Sequence, residues 1–168
     1  ADVLASFREF APTAPSLVAS SRNGYAEWVI ARAVRQAGPD ILDGLRHLTK
    51  GFDAATGKWI GAGPWATLLH GEVLARVVAA TQALLAQWRA DPSLLEAAGQ
   101  RHYGVGPTRD ALHVPASSVG EAIAIYDERR SRDDGDDLHC VVALVQAHAA
   151  LAWRARNHGL ALFHVTTL

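Results

Sequence analysis

Residues 64–90 read PWATLLHGEVLARVVAATQALLAQWRA, and this stretch decides the fold. Leu69, Val73, Val77, Ala80, Leu84 and Trp88 recur at spacings of 4-4-3-4-4, which is the period of one helix face. Pro64 suits the first turn of a helix, because the N–H it lacks is one that a helix start leaves unpaired anyway. The spacing predicts one long helix from Pro64 to about Ala90 as the central and most buried element.

Similar signals lie on both sides of it. Upstream, Asp2–Phe10 and Ser16–Ser21 read as short helices. Asn23 reads as the N-cap of a helix over Gly24–Ala37 that buries Tyr25, Trp28, Val29, Ala33 and Val34. Gly38 ends that helix and Pro39 opens the next, Pro39–Lys50, with Ile41, Leu42, Leu45 and Leu48 inward. Residues 51–63 hold four glycines and read as a loop. Downstream, Asp91 caps a helix that ends near His102, and Tyr103–Pro115 is irregular. Ser117 or Ser118 caps Val119–Arg130, with Glu121 placed for a capping box. Arg129–Asp137 reads as a charged, solvated run. The last helix, Asp137–Asn157, buries Leu138, Val141, Val145, Ala149 and Ala152 and is stopped by Gly159. The tail Leu160–Leu168 reads as a short strand or an extended arm. The expected fold class is all-α: a single domain over residues 1–168 with six to eight helices.

Composition narrows the function. The chain has 168 residues, 49% of them apolar and 20% charged, which is the profile of one folded domain. A net charge of −1 argues against nucleic-acid binding, which calls for a basic face. One cysteine excludes a disulfide framework and a CxxC motif. No uninterrupted apolar run reaches the ~20 residues of a membrane span. Ala1-Asp2-Val3 lacks a basic leader region, so a cytoplasmic protein is expected.

Eight histidines are the main chemical feature, since histidine is both the commonest metal ligand and the usual acid–base group near neutrality. No HxxxH or HExxH pair is present. His139 and Cys140 are adjacent and point about 100° apart on a helix, which is poor geometry for sharing one ion. The Asp133–Asp137 run lacks the glutamate of a calcium loop. His70 and His102 stand 32 residues apart on consecutive helices joined by a short turn, placed to aim both rings into one apolar cavity. His148 is the rival ligand, because it shares a face with Val141, Val145 and Ala152. His47 lies in a helix too short to wall a pocket, and His158 and His164 fall in the tail.

His70-Gly71-x-x-Leu74, Leu95-x-x-x-Gly99-Gln100-Arg101-His102 and Val119-Gly120-Glu121-Ala122-Ile123 follow one another in an order that resembles the middle of a bacterial globin. Ser6-Phe7-Arg8-x-Phe10-Ala11-Pro12 is similar to the first helix of that family, and Pro39-Asp40-Ile41-Leu42 to its short third helix. The resemblance implies haem as cofactor and a diatomic gas (O2, NO or CO) as ligand. It implies His102 as the iron ligand, His70 on the opposite face, Leu69, Val73, Leu74, Val77 and Leu95 as cavity walls, and Arg101 or Arg109 beside the propionates. A homodimer is compatible with it. The chain departs from the family where a phenylalanine usually packs on the haem, a place that Leu45 or Phe52 would have to fill.

Two other classes compete. A cofactor-free helical interaction or regulatory module would use the five tryptophans as core and interface anchors. An enzyme using paired histidines would rest on the histidine count.

Overall fold

The structure, a computed structural model, describes residues 25–53, 58–60, 65–99, 112, 118–133 and 138–166. The expected helices Asp2–Phe10 and Ser16–Ser21, the cap at Asn23, and His102 with most of Tyr103–Pro115 lie outside them. Six α-helices run through the described residues in this order: α1 (Tyr25–Gln36), α2 (Pro39–Gly44), α3 (Gly71–Ala90), α4 (Ser93–Gly99), α5 (Val119–Asp133) and α6 (Leu138–Asn157). Four short strands complete the set: β1 (Phe52–Asp53), β2 (Lys58–Trp59), β3 (Trp65–Leu69) and β4 (Leu162–Thr166). They form two separate two-stranded antiparallel sheets, β1 with β2 and β3 with β4. The molecule is therefore mostly helical, as the alanine-rich sequence predicts.

Several boundaries follow from local chemistry. Gly38 has φ 113° and Gly159 has φ 63°, a region open to glycine and costly for other residues, and each lies just beyond a helix end. Pro39 follows Gly38 at the start of α2. The backbone N–H of Glu121 donates to Ser118 Oγ at 3.1 Å, so Ser118 caps α5. That helix continues to Asp133, further than the charged run suggested, because Arg129 and Arg130 are as compatible with an exposed helix face as with a loop.

Several expectations need correction. The long helix begins at Gly71, not Pro64, because Trp65–Leu69 pairs with Leu162–Thr166 from the far end of the chain. The alternation within that segment is that of a strand: Leu69 is buried at 3% exposure while Leu68 stands out at 59%. Val73, placed on the inner stripe, is exposed, and Leu74 takes the buried position. Pro39–Lys50 is not one helix, since α2 stops at Gly44 and Arg46–Thr49 forms a separate 3-10 turn. Residues 51–63 are not loop throughout, since Phe52–Asp53 pairs with Lys58–Trp59.

The core sits between α1, α3 and α6, with α5 lying along α6. Trp88, Tyr126, Leu45, Leu74, Leu84, Leu95 and Leu112 are its largest fully buried members. The most buried element is α6 rather than α3, with twelve buried residues of twenty against eight of twenty. By length and hydropathy α6 matches a membrane span, and 67% of that window is buried inside the protein itself. Against α3, α2 packs closely at Gly44, where a Cβ would meet Ala80 and approach the Arg76 carbonyl oxygen to 2.9 Å.

Candidate functional site

Three histidines from three different elements meet beside the core. His47 comes from the 3-10 turn that follows α2 and is buried. The break at Leu45 (φ −111°, ψ 17°) ends α2 a residue after its glycine contact with α3, and this re-aims the chain so that His47 turns inward. His148 comes from α6, one turn beyond Leu144 and Val145 on the buried stripe. His164 comes from β4, where it lies opposite Thr67 of β3. It alternates with Phe163, so His164 is half-buried while Phe163 faces outward.

The ring nitrogens make direct contact. His47 Nε2 and His148 Nε2 are 3.1 Å apart, and the two rings are centred 5.2 Å apart at 27°. His164 meets His47 edge-on with ring centres 5.1 Å apart, and stands 6.5 Å from His148. Lys50 borders the group, its Nζ donating to Thr67 Oγ1 at 3.0 Å. The 3-10 turn is held by Thr49 Oγ1, which donates to the Arg46 carbonyl at 2.9 Å.

All three imidazoles are held neutral. Burial, then the neighbouring histidines, then Lys50 push His47 from its ordinary 6.5 down to about 2. Burial and then His164 lower His148 to about 3. Burial and then Lys50 lower His164 to about 4. A bond between two Nε2 atoms requires opposite roles: one nitrogen carries a proton and donates, and the other accepts. On the remaining side of its ring, buried His148 Nδ1 has no hydrogen-bond partner among the described residues. A buried polar nitrogen left unmatched costs about 1–3 kcal/mol, so the fold retains this cluster at an energetic disadvantage.

Neutral imidazoles with converging nitrogens are the form in which histidine binds a metal ion. On a tetrahedral Zn2+ with bonds of about 2.0 Å, two nitrogens stand about 3.3 Å apart and their ring centres about 5 Å apart. The separations from His47 to His148 and to His164 match this, while that between His148 and His164 is more than an ångström too wide. Accordingly, among the described residues no three His, Cys, Asp or Glu side chains already converge on one ion. Haem does not fit this cluster as it stands, because an axial imidazole pair has the macrocycle between its two nitrogens and 3.1 Å leaves no room for one.

The residues named from the globin-like motifs lie elsewhere. His70 is exposed at the N-cap of α3. Leu69, Leu74, Val77 and Leu95 are buried in the common core, and Val73 is exposed. Arg101 and His102 lie outside the described residues. His148, the rival ligand, is in the cluster. His47, expected in a helix too short to wall a pocket, and His164, expected in the tail, both belong to the cluster. Their signals were slight: Leu162 and His164 share one side of an alternating strand, and His47 lies between the inward residues Leu45 and Leu48.

The chain matches no protein family, no curated protein and no solved structure with which it was compared.

Proposed function

We propose that this protein binds a divalent late transition-metal ion, of which Zn2+ is the reference case, between His47 and His148, with His164 turning in as the third ligand. The observation that carries this reading is the 3.1 Å approach of two buried, neutral Nε2 atoms. His164 needs a shift of more than an ångström, and it sits on a two-stranded ribbon rather than on a core helix. Isothermal titration with Zn2+ tests the reading: one ion per chain is expected in the wild type, with loss in His47→Gln and in His148→Gln.

The haem-binding, gas-sensing reading that the motifs imply is carried by His102. The same preparation separates it from the ion reading, since haem retention with a Soret band that vanishes in His102→Ala would favour the globin-like protein. A cofactor-free interaction module is favoured by a different observation. Leu68 and Phe163 are cross-strand partners on the outer face of the β3–β4 ribbon, 59% and 37% exposed. That reading expects neither ion nor haem to bind.

A further inference from the structure

Away from the histidine cluster, a second surface gathers side chains of one kind. Seven large apolar side chains stand exposed among the described residues, and four of them, Leu68, Trp153, Leu160 and Phe163, lie on the end of α6 and the β3–β4 ribbon that follows it. Trp153 is 52% exposed and Leu160 56%. Their backbone is well fixed. Gly159 takes φ 63°, and the Leu160 N–H donates to the Ala155 carbonyl at 2.8 Å, so the chain folds back over the last turn of α6 and holds Leu160 beside it. Phe163 follows on β4, directly across from Leu68 on the outer face of the ribbon.

Charge on this segment has one sign. Arg154 and Arg156 are both exposed in the last turn of α6, where the negative end of the helix dipole accommodates them. Residues 138–168 contain no aspartate or glutamate, so the segment is positive within a chain of net charge −1. Tryptophan beside arginine suits a lipid–water boundary, because the indole sits among headgroups while guanidinium groups bind lipid phosphates. The four apolar side chains stand out from a helix end and a ribbon face, as separate anchors that a soft surface receives.

We infer that this end of the molecule docks on an anionic phospholipid bilayer, lying on it rather than spanning it, with Trp153, Leu160 and the Leu68–Phe163 pair in the headgroup region and Arg154 and Arg156 on the phosphates. The surface is separate from the histidine cluster, so this docking is independent of metal binding.

Cosedimentation of the full chain with vesicles tests it. Vesicles of equal parts phosphatidylcholine and phosphatidylserine should bind the protein, added salt should weaken the binding, and phosphatidylcholine alone should bind it far less. Arg154→Ala and Arg156→Ala should each weaken binding about fivefold, and Trp153→Ser about tenfold. These sites are exposed, so helical circular dichroism should persist in all three variants. Arg130→Ala, on the helix that leads into the other end of α6, should bind like the wild type. No binding to the mixed vesicles, equal binding to phosphatidylcholine alone, or equal binding by Trp153→Ser and the wild type would overturn the inference. A lipid-free protein that sediments as a dimer, and as a monomer in Phe163→Ser, would show that a second copy covers this surface and would overturn it too.

Discussion

His47 and His148 lie 101 residues apart in the chain and meet inside it with their Nε2 atoms 3.1 Å apart. The contact joins the 3-10 turn after α2 to the most buried helix of the molecule. It is a buried polar pair in which neither ring carries a charge, so each nitrogen depends on the other for its only described partner across that gap.

Replacing one member of the pair strands the other. His47→Leu and His148→Leu should each lower stability by about 1–3 kcal/mol, the cost of an unmatched buried nitrogen. The double variant should cost clearly less than the sum, because removing both partners removes the polar demand as well. Urea unfolding of the four proteins, without metal, measures the coupling. Additive losses would show that the nitrogens do not interact.

Acid should unfold the metal-free protein through this cluster. The three histidines titrate at about 2, 3 and 4 when folded and near 6.5 when unfolded, so between these values the unfolded chain binds more protons. Their neutral cluster is therefore fully compatible with the fold above pH 6.5, and stability falls as pH drops below it. Each histidine contributes up to about 1.4 kcal/mol per pH unit until its folded value is reached. Melting temperature against pH, in the presence of a chelator, should fall steeply below pH 6, and His164→Asn should shallow the slope. A profile flat to pH 4 would contradict the burial of these rings.

Two glycines separate packing from propensity. Gly44→Ala should destabilise by about 1–3 kcal/mol, because the new methyl meets Ala80 and the Arg76 carbonyl on α3. Gly120→Ala in the first turn of α5 meets only Ser118 Oγ at 3.9 Å and should be neutral or stabilising by up to about 1 kcal/mol. Thermal melts of the two variants read the difference.

Val77→Asp buries a charge at a position 1% exposed and should destabilise by several kcal/mol. Val73→Asp, four residues earlier on the same helix, lies at an exposed site and should be tolerated. Equal melting curves for the two would undo the helix register.

The helices were legible because their signals are local. The Val77, Ala80, Leu84 and Trp88 stripe, the Ser118 cap and the stops at Gly38 and Gly159 each depend on residues within a turn of one another. Trp65–Leu69 was misread for the opposite reason: what makes it a strand is Leu162–Thr166, almost a hundred residues away, and an apolar run leading into a helical stripe looks like more helix. The cluster was half legible. His148 stands on an apolar stripe that its own helix defines. His47 depends on a helix ending early at a glycine contact with α3, and His164 on the ribbon, so neither could be placed without the tertiary fold.

The central claim is tested most directly by competition for Zn2+ against a chelating dye, using the wild type, His47→Gln, His148→Gln and His70→Ala at neutral pH. The account predicts one ion per chain in the wild type and in His70→Ala, with binding lost in the two cluster variants while their helical circular dichroism persists. No Zn2+ taken up by the wild type, or uptake by His47→Gln and His148→Gln equal to that of the wild type, would contradict it.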